Sequence, residues 1–255
     1  MEITRTITER TSQRLEPLII NKYITFILVS IGISLLGIAV FLWIQGEYDQ
    51  WFLFSHDALR SIKSIATAGK VASKYGMPII LLIYLIYLML AFNNEKLRVA
   101  YKITILVFLM FGLVGLGGDL LKEIIGRPRP FVTYVGEYIA FSDAGTPAFP
   151  SGHATKSMAL ALPFLVLIPV RDKWHIALKI LLAVVALSVS YSRVLLGAHY
   201  VSDVLAGIGL SMICLPIVTH LTNKVLEKMN KERLDMAVKI WAVILFGLMV
   251  FLVLS

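Results

Sequence analysis

Long apolar runs alternate with short polar connections along the whole chain. Runs with few or no charges occupy residues 23–44, 77–92, 103–121, 154–170, 176–192, 201–221 and 237–254. A helix that crosses a bilayer needs about 20 mostly apolar residues, and these runs reach or approach that length. Asp119 falls near the end of the third run and Lys239 near the start of the last. The pattern predicts an all-α fold, a multi-pass transmembrane helix bundle. A six-span core covers 23–221, residues 1–22 form an N-terminal tail, and 222–255 hold a charged linker and a seventh, C-terminal span. The first run is too long for the core of a signal peptide, and no small-residue cleavage pattern follows it, so it reads as an uncleaved span. Between the first two runs, Leu59, Ile62, Ile65 and Ala66 recur at helical spacing with Arg60, Lys63 and Lys70 between them. That predicts an outer amphipathic segment over 57–75 lying in the membrane interface.

Composition agrees with the pattern. Hydrophobic residues make up 58% of the 255, against about 45–50% in soluble chains, and the mean hydropathy is +0.82. The net charge is +8, but the basic residues do not gather on one solvated face, so no nucleic-acid partner is expected. Cys214 is the single cysteine, which excludes an intramolecular disulfide and a zinc site built on paired cysteines. Cations crowd the segments before the first run (Arg5, Arg10, Arg14, Lys22), after the second (Lys96, Arg98, Lys102) and after the sixth (Lys224, Lys228, Lys231, Arg233). The positive-inside rule then puts the N-terminus in the cytoplasm.

Three polar clusters interrupt the apolar text. Residues 122–130 read KEIIGRPRP and close the third run, with Lys122, Arg127 and Arg129 at its mouth; Gly126 suits a helix C-terminus, and Pro128 and Pro130 stop the helix. Residues 150–153 read PSGH and open the fourth run, where Ser151 can cap a helix whose free N–H groups favour an anion. Residues 192–203 read SRVLLGAHYVSD and join the fifth run to the sixth. His199 and Asp203 are four apart, a spacing that on a helix puts them on one face, where a carboxylate can orient an imidazole. Alternation of the spans brings all three clusters to the same, non-cytoplasmic surface.

Together they suit phosphoryl transfer. Cations and amides must surround the equatorial oxygens of the phosphoryl group, and Lys122, Arg129, Arg193, Ser151 and the Gly152 amide can supply them. His199 with Asp203 behind it is a candidate nucleophile, and His153 a candidate acid for the leaving alkoxide. No group of carboxylates stands ready to hold two metals, so no metal and no other cofactor is expected.

In these residues the chain resembles the type 2 phosphatidic acid phosphatase (PAP2) family of integral-membrane lipid phosphatases. The family signature, K-x6-R-P, P-S-G-H and S-R-x5-H-x3-D, is met by Lys122 with Arg129-Pro130, by Pro150 to His153, and by Ser192-Arg193 with His199 and Asp203. The resemblance implies that His199 attacks phosphorus and becomes a phosphohistidine. It implies that Asp203 holds His199 in the reactive tautomer, and that His153 protonates the leaving group and then activates water. Lys122, Arg129, Ser151, Gly152 and Arg193 bind the phosphate in this reading, with Arg127 and Asp119 as secondary candidates. Arg127 is placed to reach a second phosphate or a headgroup, and Asp119 to pair with Lys122.

The expected activity is removal of a terminal phosphate from a lipid phosphomonoester or pyrophosphate. The alternatives are a phosphotransferase that passes the phosphate to another lipid and, more remotely, an anion or lipid transporter. The expected partners are a lipid phosphate and the surrounding membrane lipids, and nothing in the sequence marks an obligate protein partner. The expected location is the plasma membrane, the inner membrane in a bacterium. Tyr134, Glu137, Tyr138 and Asp143, in the loop over 131–149, are candidates for headgroup choice. Lys156 suits snorkelling or substrate contact equally, and His56, His175 and His220 match no motif and read as interfacial residues.

Overall fold

The computed structural model describes residues 15–92, 94, 97–141 and 147–254. Asp143 and most of the predicted tail over 1–22 lie outside the described residues. No strand occurs among those described. The chain forms α1 (Lys22–Gln45), two short helices α2 (Glu47–Ser55) and α3 (Asp57–Ser61), and a long α4 (Lys63–Phe92). Next come α5 (Val99–Leu109), a π-helical turn over Met110–Val114, α6 (Gly115–Ile125) and the single turn α7 (Pro130–Thr133). The rest is α8 (Gly152–Leu167), α9 (Lys173–Leu195), α10 (Val201–Leu226) and α11 (Lys231–Leu254).

Among the described residues, six helices are long and apolar enough to cross a membrane: α1, α4, α9, α10, α11 and the element from Val99 to Thr133. The protein is a multi-pass integral membrane protein. The fourth predicted run becomes α8, which has only 16 residues and rises about 24 Å, less than the roughly 30 Å of a hydrocarbon core. It needs no such length because protein surrounds it: Ala159, Leu160 and Ala161 are wholly buried. The outermost helices show the opposite pattern. Phe26 on α1 is 73% exposed and Phe251 on α11 is 65% exposed, apolar surface of the kind that faces lipid in a membrane bundle.

The segment 57–75, expected as one amphipathic helix in the interface, is divided. Only Asp57–Ser61 stands apart, and from Lys63 the chain already belongs to α4. Arg60, expected on a wet face, is 1% exposed. It donates from Nε to the Leu195 carbonyl at 2.9 Å and from Nη2 to the Val194 carbonyl at 3.2 Å. Both carbonyls lie in the last turn of α9, where helices leave carbonyls short of intrahelical partners, so α3 is clamped onto the helix end that carries Arg193.

Small residues set the closest approaches. A methyl group on Gly209 of α10 would lie 2.7 Å from the Gly32 carbonyl of α1. These helices therefore meet backbone to backbone, as small residues permit in membranes. A methyl on Gly207 would lie 2.8 Å from the Ser151 carbonyl. That approach seats the start of α8 against the first turns of α10, and so places the second polar cluster beside the third.

Candidate active site

Each cluster sits where a helix starts or stops. Lys122 lies in the last turn of α6. Gly126 ends that helix with φ +63, and its N–H donates to the Lys122 carbonyl at 2.8 Å, a left-handed cap that suits glycine. Arg129 follows in extended backbone, and Pro130 opens α7. The Ser151 N–H donates to the Asp203 carbonyl at 2.9 Å, tying the start of α8 to α10. Beyond α9, Gly197 turns with φ +68, and the N–H groups of Ala198 and His199 donate to the Arg193 carbonyl at 3.0 and 3.2 Å. A methyl on Gly197 would also strike the Tyr138 ring, at 2.6 Å.

These ends converge on a cavity of about 700 Å³. It is lined by Lys122, Arg129, Gly152, His153, Arg193 and His199, together with Lys70, Lys74 and Lys156. Met77, Phe111 and Leu252 form an apolar side. The π-helical turn, a device often found near functional sites, supplies Phe111 to that side. Among the described residues no carboxylate lines the cavity, and no group of three or more His, Cys, Asp or Glu side chains forms a metal cluster.

His199 lines the cavity from the connection between α9 and α10. It is 1% exposed. Its Nδ1 lies 3.3 Å from Asp203 Oδ2, and its Nε2 lies 3.2 Å from Arg129 Nη1. A carboxylate accepts only, so Nδ1 carries the proton and Nε2 keeps a lone pair facing the cations. The pairing arises differently from the expectation of a shared helix face. His199 precedes α10, and Asp203 in the first turn reaches back, accepting also from the Tyr200 N–H at 2.9 Å. Burial first, then the positive charges of Arg129, Arg193 and Lys122, hold the His199 imidazole well below its ordinary pKa.

The anion-binding candidates leave polar capacity unused. Arg193 donates from Nη1 to Ser73 Oγ at 2.6 Å, while its buried Nε has no partner. Ser151 occupies the N-cap position but makes no side-chain cap bond, and its buried hydroxyl has no partner. A methyl on Gly152 would lie 3.0 Å from Lys122 Nζ, so glycine gives that ammonium its place. Native structures rarely leave buried polar atoms unpaired; of the two residues that do so here, Arg193 lines the cavity and Ser151 does not.

The secondary candidates divide. Asp119 Oδ1 lies 3.8 Å from Lys122 Nζ, as expected, but Asp119 Oδ2 is closer to Lys156 Nζ, at 2.9 Å. Lys156 thus belongs to the cavity wall. Arg127 does not line the cavity. It is buried between the rings of Trp43 and Tyr200, 5.1 and 4.0 Å from their centres. Its Nη1 meets Asp203 Oδ1 at 2.6 Å and Ser202 Oγ at 2.7 Å, and its Nη2 meets Asp49 Oδ2 at 2.8 Å, so both terminal nitrogens are engaged inside the protein. Asp49, Ser73, Lys70 and Lys74 carry no site signal in the sequence. Lys70 stands out there only as part of an amphipathic face, and Asp49 and Ser73 sit in polar stretches that no spacing singles out. Of the remaining histidines, His56 bonds Tyr191 Oη at 2.9 Å and His175 pairs with Asp172 at 2.7 Å, while His220 lies beside a separate surface cavity. None of the three reaches the site.

Comparisons with known proteins point the same way. The family model of the PAP2 superfamily matches residues 102–227. The chain is 36% identical over 130 residues to the lipid A 1-phosphatase of Rhizobium johnstonii, which covers 48% of this chain and 50% of that protein. It is 31% identical over 185 residues to the undecaprenyl-diphosphatase of Sulfolobus acidocaldarius, covering 71% of this chain and 80% of that protein. The chain spans about half the length of the first curated relatives it matches. In three dimensions it resembles the crystal structure of a transmembrane PAP2-type phosphatidylglycerolphosphate phosphatase from Bacillus subtilis. The TM-score is 0.57 at 23% identity, over 78% of this chain and 96% of that one, a likeness of fold.

Proposed function

The chain belongs to the PAP2 superfamily, and on that footing we propose that it is a metal-independent lipid phosphatase working through a phosphohistidine. The observation that carries the reading is the meeting of Lys122, Arg129, Arg193 and His199 in one cavity, with Asp203 behind the imidazole. The phosphate oxygens sit among the three cations and the N–H groups that open α8, so the chain's own charges oppose the charge of the phosphoryl group. His199 Nε2 attacks phosphorus. The N–P bond forms as the P–O bond to the lipid breaks, and His153 gives its proton to the departing oxygen. His153 then takes a proton from water, whose oxygen displaces His199 and releases inorganic phosphate. Asp203 keeps the proton on Nδ1 throughout and offsets the positive charge of the phosphorylated ring.

The apolar side formed by Met77, Phe111 and Leu252 supports a substrate that carries a hydrocarbon chain beside its phosphate. A lipid phosphomonoester and a lipid pyrophosphate both fit this description. The cation distribution supports an N-terminus in the cytoplasm and a cavity on the opposite face.

The test is phosphate release by purified protein from phosphatidic acid, phosphatidylglycerol phosphate, a polyprenyl pyrophosphate and lipid A. It is followed by an alkaline quench of the reaction with labelled phosphate. Release from at least one lipid, with label on wild type and none on His199→Ala, is expected. Release from none of the lipids, or unimpaired turnover by His199→Ala, removes the reading.

A further inference from the structure

We propose that Asp49, on a segment that precedes the matched family region, is a positioning residue for His199, acting through Arg127 and Asp203. The inference rests on the reading of His199 as the nucleophile.

The four side chains form one line. Asp49 is 1% exposed. It meets Arg127 Nη2 at 2.8 Å, the Ser202 N–H at 3.1 Å and the Ser202 hydroxyl. Arg127 Nη1 meets Asp203 Oδ1 at 2.6 Å, and the other oxygen of Asp203 meets His199 Nδ1. Signs alternate along the line: carboxylate, guanidinium, carboxylate, imidazole. Two aromatic faces, Trp43 and Tyr200, hold the guanidinium in place.

The alternation matters because these groups are out of water, where charges act on one another strongly. Arg127 alone would cancel the charge of Asp203 and leave His199 facing only cations. Lys122, Arg129 and Arg193 bear on the ring from α6, its exit and α9, and His153 bears on it from α8. Asp49 offsets Arg127, so Asp203 keeps a net negative field at Nδ1. That field orients the ring, raises its nucleophilicity and stabilises the cationic phosphohistidine. The corner from α1 to α2, where Gly46 turns with φ +65, thus completes a site whose signature lies elsewhere in the chain.

The experiment compares wild type, Asp49→Asn, Asp49→Glu and Arg127→Gln. It measures kcat and KM against pH with a short-chain phosphatidic acid in micelles, alongside thermal unfolding of each variant. Asp49→Asn keeps shape but removes charge. Its kcat should fall by about tenfold or more, as for other groups that act behind a ligand, with KM nearly unchanged and the acid limb moved to lower pH. Asp49→Glu should return the limb toward wild type. Arg127→Gln should move it the other way, to higher pH, which keeps the idea testable if the Asn variant does not fold. A limb that stays at its wild-type position in whichever of these charge variants folds overturns the proposal and leaves Asp49 a structural group. Absence of phosphate release by wild type itself would instead remove the reading of the site.

Discussion

Arg193→Ala tests how the cavity binds phosphate. One donor of Arg193, Nη1, is committed to Ser73 at 2.6 Å, while Nε is buried with no partner. An anion in the cavity can therefore take the Nε edge of the fork bidentately. Hydrogen bonds to charged groups contribute roughly 1.5–3 kcal/mol each. Two at the low end total about 3 kcal/mol, or about 10²-fold in kcat/KM at 1.36 kcal/mol per decade. The cost to the fold is offset: Ser73 loses one bond to a charged group, roughly 1.5–3 kcal/mol, while the crowd of cations around the cavity is relieved. Arg193→Lys keeps the charge but not the fork, and should recover about one of the two bonds, roughly tenfold over the Ala variant. The assay is steady-state phosphate release from a micellar lipid phosphomonoester, with thermal unfolding as the control for folding. A fall in kcat/KM of less than about tenfold in a folded Arg193→Ala protein would refute the reasoning, since one charge-assisted bond alone exceeds that.

His199→Ala and His153→Ala should lose measurable turnover while staying folded in detergent, and His220→Ala should retain it; phosphate release and size-exclusion profiles check all three. The acid limb of kcat/KM against pH should lie below the ordinary imidazole range. Burial and neighbouring cations lower the pKa of His199, so its reactive neutral form persists to lower pH; a limb above about pH 6.5 would contradict this. Gly209→Val should abolish recovery of folded protein, because its side chain would press on the Gly32 carbonyl, 2.7 Å from even the first added carbon; wild-type thermal unfolding would show the contact is slack. Glu137, exposed and next to Tyr138, whose hydroxyl donates to the Gly197 carbonyl, should react as Glu137→Cys with an impermeant thiol reagent on intact cells in a Cys214→Ser background. Labelling only after lysis would reverse the orientation.

How much of the molecule is legible in its sequence follows from the range of each interaction. The bilayer demands apolar length, which is local, so the helical bundle and its membrane spans can be read from the runs alone. Lys122, Arg129, Gly152, His153, Arg193 and His199 can be singled out in the same way, because each cluster keeps a fixed spacing at a helix end, and the structure brings them to one cavity. What escapes depends on packing between distant segments. The burial of α8 escapes, because composition does not reveal whether lipid or protein surrounds a helix. The segment 57–75 looks interfacial because helical periodicity does not say which face is covered. Arg60 is buried only because the end of α9 offers it two carbonyls. Arg127 reads as a spare cation for substrate, and it turns inward only because Asp49, Trp43 and Tyr200 close around it. The chemistry of the site is carried by residue type and spacing along the chain. Which charges oppose one another within it is decided by tertiary structure, because electrostatic pairing acts through space over a few ångströms, whatever the separation in sequence.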